Sequence, residues 1–181
     1  MSSPAGSTAT LRKTLRRFRR NRRGSAAVEF ALVAPVFFAL LFAIIETGIV
    51  FFAGQVLETV TQDSARMIMT GQAQNASYGQ SDFKNYVCGK VIILFNCMTG
   101  ISIDVQSYSG FSSVSIADPI DGGKNFVAPN NYSPGGPGDI VVVRLFYQWP
   151  LIVTGLGYNI ANLTGSKRLL TATAAFRNEP Y

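Results

Sequence analysis

A chain of 181 residues with a net charge of +6 has room for one folded domain and a membrane segment. The absence of histidine and the presence of only two cysteines remove the usual general base and most metal sites. No catalytic residue, metal or cofactor is therefore expected, and the chain does not read as an enzyme.

The charge is concentrated at one end. Arg12, Lys13, Arg16, Arg17, Arg19, Arg20, Arg22 and Arg23 supply eight of the sixteen basic residues, in a stretch that contains no acid. The remainder carries eight basic against ten acidic side chains, a balance of −2. Nucleic-acid binding calls for basic side chains displayed on a folded face. Here they lie in a Ser/Thr/Arg-rich tail beside an apolar segment, where the positive-inside rule is the simpler cause, so no nucleic-acid partner is expected.

Residues 1–24 form a basic leader, its first part small and polar and suited to disorder. Arg16-Arg17-Phe18 suggests a twin-arginine signal, but the apolar segment after it is too long and no A-x-A closes it. Phe30 to Ile45 then runs without a charge. Glu29, at the edge of that run, is expensive: a carboxylate deep in a spanning helix costs roughly 2.5–3.5 kcal/mol, so it needs a shallow position or a partner. Residues 25–52 are expected to cross the membrane and to contact lipid, because a span takes about 20 residues. Pro35, inside the span, frees the carbonyl of Ala31 and should kink or loosen the helix.

Beyond the span, Ala53, Val56, Leu57, Val60, Ser64, Met67 and Ile68 recur at three- and four-residue steps, with Glu58, Gln62, Asp63 and Arg66 on the other faces. That pattern predicts an amphipathic stem over 53–70. Span and stem form either one helix of roughly 65 Å or two helices joined at a bend that Gly48 and Gly54 permit. Glu46 reads as a mark of the outer interface or as a partner inside a bundle.

Residues 71–80, rich in Gly, Gln, Asn and Ser, read as a linker to a head over 81–181. Ser81 is the expected N-cap of a second helix with Phe83, Tyr86, Val87 and Val91 on one face. Cys88 and Cys97 form a disulfide if the head is outside the cytoplasm, and are two buried thiols otherwise. A disulfide requires the helix to end between them, since unbroken helix would set them about 13 Å apart against the roughly 4.4–6.8 Å needed. Ile101, Ile103 and Val105 alternate with polar residues, and Phe111 to Ile116 is expected to pair with that strand as a hairpin through Ser109-Gly110. Ile140 to Trp149 is the strongest strand, with Val141, Val143, Leu145, Tyr147 and Trp149 in one apolar row. Arg168 to Phe176 repeats the pattern with Leu170, Ala172, Ala174 and Phe176, whose alanines suit close approach of the stem. Residues 117–139, dense in Pro, Gly, Asn and Asp, form a long loop that either contacts a partner or is plain surface. The expected fold class is α+β: a long N-terminal transmembrane and stem helix with a small antiparallel-sheet head.

Arg23-Gly24-Ser25-Ala26-Ala27-Val28-Glu29-Phe30-Ala31-Leu32-Val33-Ala34-Pro35 resembles the processed end of the TadE/TadG group of pseudopilins, from the tight-adherence branch of type IV pilus systems. Thr171-Ala172-Thr173-Ala174-Ala175-Phe176-Arg177-Asn178-Glu179-Pro180 is similar to that group's C-terminal strand and its close. The middle of the chain, with both cysteines, matches nothing in that pattern. The resemblance implies cleavage between Gly24 and Ser25 by a prepilin peptidase, which leaves Glu29 and Phe30 as the fifth and sixth residues of the mature chain and Pro35 in the assembly helix. It also implies a minor pseudopilin, anchored in the bacterial inner membrane with the N-terminus cytoplasmic and the head periplasmic, or built into an extracellular pilus. The implied partners are the peptidase, other pilins and pseudopilins, and the inner-membrane pilus assembly platform. The alternative is an uncleaved single-pass anchor whose head binds an envelope partner. In that case Arg22 or Arg23 would neutralise Glu29 at the interface.

Overall fold

The structure is a computed structural model that describes residues 24–91, 94–154 and 158–181. The leader up to Arg23, with the twin-arginine question and the two arginines proposed against Glu29, lies outside the described residues. The architecture is α+β: a long apolar N-terminal helix is followed by a small three-stranded antiparallel sheet. The chain divides into two compact units, Met1–Ile44 and Ile45–Tyr181.

Helix α1, Ser25–Met69, runs through Pro35, Gly48 and Gly54 as one helical element. In the first unit its large apolar side chains are exposed, among them Phe30, Leu32, Val36 and Ile44. Only 6 % of its most apolar window is buried, which separates it from the core helix of a globular domain. In the second unit the stem part of α1 has one buried stripe of Val50, Ala53, Leu57, Val60, Thr61, Ser64, Ala65 and Ile68. The steps of three and four residues place these side chains on one face, and Gln62, Asp63 and Arg66 remain exposed.

The linker region contains a helical turn, α2, Gln72–Asn75, with Ala73 fully buried. Gly71 joins it to α1 with φ +74, a left-handed conformation that glycine adopts without steric cost. A Cβ on Gly71 would lie 2.2 Å from Cγ of Tyr181, so the ring of the last residue sits where a side chain would be. Gly71→Ala is expected to lower stability by about 1–2 kcal/mol for the backbone alone, with a further loss from displacing the ring. Thermal unfolding of Gly71→Ala in wild-type and Tyr181→Ala backgrounds separates the two parts, and an unchanged midpoint in both would contradict the assignment.

Helix α3, Gln80–Lys90, is capped by Gly79, whose N–H donates to the Asp82 carboxylate at 2.9 Å. The helix thus starts one residue before the expected Ser81 cap, because the Asp82 side chain reaches back to close the turn. Phe83 and Val87 are buried from it. A short helix α4, Cys97–Gly100, leads into the sheet. Cys88 and Cys97 are bonded with their Cα atoms 5.5 Å apart. The bond holds a tight loop in which Phe95 enters the core and meets the rings of Tyr147 and Trp149 edge-on, at centroid distances of 4.9 and 6.0 Å. A closed loop this short contributes at most about 2.5–3 kcal/mol in the chain-entropy model.

Strands β1 (Ile101–Tyr108), β2 (Ile140–Pro150) and β3 (Lys167–Arg177) form a sheet in the order β1-β2-β3. Val143 stands opposite Val105 on one side and Ala174 on the other, which aligns the three apolar rows. Those rows share a core with Leu57, Val60 and Ile68 of the stem and with Phe83 and Val87 of α3.

The expected hairpin over Phe111–Ile116 is corrected by the structure. Phe111–Ser113 is a 3-10 turn, and β1 pairs instead with β2. The physical reason is burial: β2 offers β1 a continuous apolar row, whereas Phe111 and Ile116 end up exposed. The free edge of β1 is taken by the long loop, where Val105 exchanges backbone hydrogen bonds with Asn131 and Ser133 at 2.9 and 2.8 Å.

The loop over 117–139 also covers the second face of the sheet. Ile120 and Phe126 pack against Phe146, Leu163 and Leu169. Beneath the loop, Arg144 on β2 donates to Asp104 on β1 through Nε at 2.9 Å and Nη2 at 2.7 Å. Both side chains are buried, at 4 % and 1 % exposure. Gln106 and Asn131 also donate to the Asp104 carboxylate, and Nη1 of Arg144 reaches the Ala117 carbonyl at 2.9 Å. In the loop itself, Asp121 accepts from the backbone and side chain of Asn125 and from the N–H of Gly123, and these bonds hold its carboxyl below its ordinary value.

The C-terminus closes the fold. The N–H of Asn178 donates to the Asp139 carbonyl and that of Glu179 to the Met69 carbonyl, each at 2.9 Å. The buried Asn178 amide donates to the carbonyls of Pro134 and Gly136 at 2.9 and 3.0 Å. The Asn-Glu-Pro end therefore ties β3, the long loop and the last turn of α1 together.

Candidate functional site

The residues singled out for processing and assembly lie at the start of α1. Gly24 sits in a turn just before the helix, and Ser25 is the first helical residue. A Cβ on Gly24 would meet no atom within 4 Å, so nothing in the isolated chain requires glycine there. Ser25 and Glu29 are one turn apart on the same face. Glu29 is exposed and has no hydrogen-bond or ion-pair partner among the described residues. Phe30 is 68 % exposed beside it. Pro35, also exposed, lies in the next turns within the uninterrupted helix. The helix brings Gly24, Ser25, Glu29, Phe30 and Pro35 into one short segment. Cys88 and Cys97 belong to the head and take no part in it.

This arrangement has the chemistry of a recognition and packing element. The helix start presents one carboxylate and apolar side chains that an aqueous environment would not tolerate as a set. Among the described residues no group of three or more His, Cys, Asp or Glu side chains could hold a metal ion. An open groove near the C-terminus, lined by Pro137, Gly138, Arg177, Asn178, Glu179 and Pro180, offers no nucleophile beside a base.

Glu46 has a different setting, at the start of the second unit. Its side chain is buried at 8 % exposure. Oε1 accepts from the N–H of Ile152 at 2.5 Å and of Val153 at 3.2 Å, and Oε2 accepts from Val153 at 3.0 Å. The next residue, Thr47, is hydrogen-bonded to the Tyr158 hydroxyl. Sequence reasoning weighed an interface and a bundle for Glu46 and missed these donors, which come from the β2–β3 connection. The buried Asp104–Arg144 pair was also missed, although a lone arginine in an otherwise apolar strand is a visible signal.

Residues 24–66 match the family model described as TadE-like protein. The match starts at Gly24 and ends in the stem, so it covers the exposed apolar part of α1 and most of its buried stripe. No curated protein and no solved structure matches the chain. The resemblance to TadE-like proteins read from Gly24 to Pro35 is thereby borne out for the N-terminal segment. Among the described residues one helix is long and apolar enough to cross a membrane, which is compatible with a single-pass membrane protein.

Proposed function

We propose that this chain is a minor pseudopilin of a tight-adherence type IV pilus system. A prepilin peptidase cuts it between Gly24 and Ser25, and the mature chain then joins pilus assembly. Residues 25–52 cross the inner membrane, 53–70 form the stem, and the head over 81–181 stands on the periplasmic side. The partners are the peptidase, other pilins and pseudopilins, and the inner-membrane assembly platform. The TadE-like family is structural rather than enzymatic in character, and the role here is mechanical.

The observation that carries this reading is Glu29. An exposed carboxylate without a partner among the described residues, one turn into an apolar helix, is costly in lipid. Cleavage before Ser25 removes all eight leader charges and creates an α-amino group, largely protonated at neutral pH. In a bundle, the ammonium of a neighbouring subunit pairs with Glu29 and offsets the cost of burying it. The family match from Gly24 onward supports the same registration.

The test separates cleavage from assembly. In the native host, Glu29→Val is expected to abolish surface pili while the membrane-extracted chain still starts at Ser25, and Glu29→Gln is expected to retain part of the assembly. Normal pilus numbers with Glu29→Val would sink the pairing.

A further inference from the structure

We infer that the start of the β2–β3 connection, at Ile152 and Val153, is a second membrane contact that dips into the outer edge of the bilayer beside the helix. This inference rests on the membrane reading of α1 given above. A span of about 20 residues that begins near Ala26 reaches Glu46 and, with tilt, Phe52, so Glu46 lies in the outer part of the span over 25–52. Glu46 is where the connection is tied to the helix, through the N–H groups of Ile152 and Val153. The Ile152 backbone therefore sits at the depth of the outer part of the span.

The two partners satisfy each other. A carboxylate at that depth needs donors, and an irregular backbone there needs its N–H groups paired. Glu46 takes the N–H groups of Ile152 and Val153, so both groups are tolerated in a place where either alone would not be. The side chains agree with the placement. Ile152 is 90 % exposed, and Ile49, Phe51 and Phe52 on the adjacent helix are exposed as well. A single exposed isoleucine would call for no explanation, but here it stands on the segment tied to Glu46 of α1. The sequence from Leu145 to Ser166 carries no charge, a longer uncharged run than Phe30 to Ile45 in the span itself, and Lys167 and Arg168 follow it. Tyr158, held to Thr47, supplies an aromatic of the kind enriched at membrane interfaces. The occupant that fits is the lipid of the outer leaflet: neutral, apolar, and continuous with the environment of the helix.

The test uses the full chain with its native disulfide, reconstituted sparsely in vesicles of phosphatidylethanolamine and phosphatidylglycerol. Single cysteines at Ile152, Phe37 and Ser112 carry an environment-sensitive fluorophore. The Ile152→Cys label is expected to emit to the blue of the Ser112→Cys label and to be quenched several-fold more by lipids spin-labelled near the headgroup. A label at Ile152 that behaves like that at Ser112, reached by aqueous iodide and not by lipid, would overturn the inference. A blue emission without lipid quenching would overturn it too, since protein would then cover the site. The Phe37→Cys label separates the failures: if lipids spin-labelled deep in the chain do not quench it, the span itself is wrong. With Phe37 quenched and Ile152 not, only the loop contact falls.

Discussion

Replacing Arg144 with alanine is expected to destabilise the head by about 3–5 kcal/mol, the cost of leaving a buried charge without its partner. The Asp104 carboxylate is 1 % exposed and loses its two strongest donors in that variant. Gln106 and Asn131 still donate to it, but no positive charge remains within the buried site. The Ala117 carbonyl loses its donor as well, which loosens the loop over the sheet. Denaturant unfolding of the full chain in detergent, followed by the fluorescence of the single tryptophan, Trp149, reads the effect in the sheet that holds the pair. Lys167→Ala, an exposed change on the next strand, serves as the control and should stay within about 0.5 kcal/mol of wild type. An Arg144→Ala midpoint as close to wild type as that control would show that the pair does not organise the loop.

Gly24→Val is expected to abolish processing in the host without touching the fold. A Cβ added at Gly24 meets no atom within 4 Å. Any effect must then arise in a second protein. A peptidase that draws an extended backbone into its cleft favours a residue without a Cβ at the scissile bond, and a β-branched side chain is the opposite. The variant should accumulate in the membrane with its leader attached and should produce no pili. A Gly24→Val chain still cut before Ser25 would refute the proposed cleavage site, and one that retained its leader but supported normal pili would refute the need for cleavage.

The legible parts of the molecule were those with a strong period. Five of the seven stem positions read from the three- and four-residue steps, Ala53, Leu57, Val60, Ser64 and Ile68, are buried, and Val56 and Met67 pack against the same core. The inward rows of β2 and β3 were equally plain. What escaped was the second buried face. Ile140, Val142, Arg144 and Phe146 interleave with the inward row, and two apolar rows on one strand indicate burial on both sides. The cover for that face comes from residues 117–139, whose Pro/Gly-rich composition carries no period from which pairing could be read. The local turn signal at Ser109-Gly110 also misled, because β1 finds its partner more than thirty positions away, and long-range burial outweighs a local turn.

The site was legible as a motif and not as geometry. Gly24, Glu29, Phe30 and Pro35 are recognisable by spacing, and the structure sets the last three on one helix. The environment of Glu46 was invisible, because its donors lie 106 and 107 positions further on. Asn178 belongs to the same class. It was noted as part of a family-like ending, and only the fold gives it work, as a buried amide that ties the loop carbonyls to the end of β3.

The most direct test of the central claim is the intact mass and N-terminal sequence of the protein taken from its host's membranes, measured with and without reductant and alkylation. The account predicts a chain that starts at Ser25 and takes up alkylating reagent at Cys88 and Cys97 only after reduction. A chain that still carries residues 1–24 would contradict it and would leave an uncleaved membrane anchor with an interfacial Glu29.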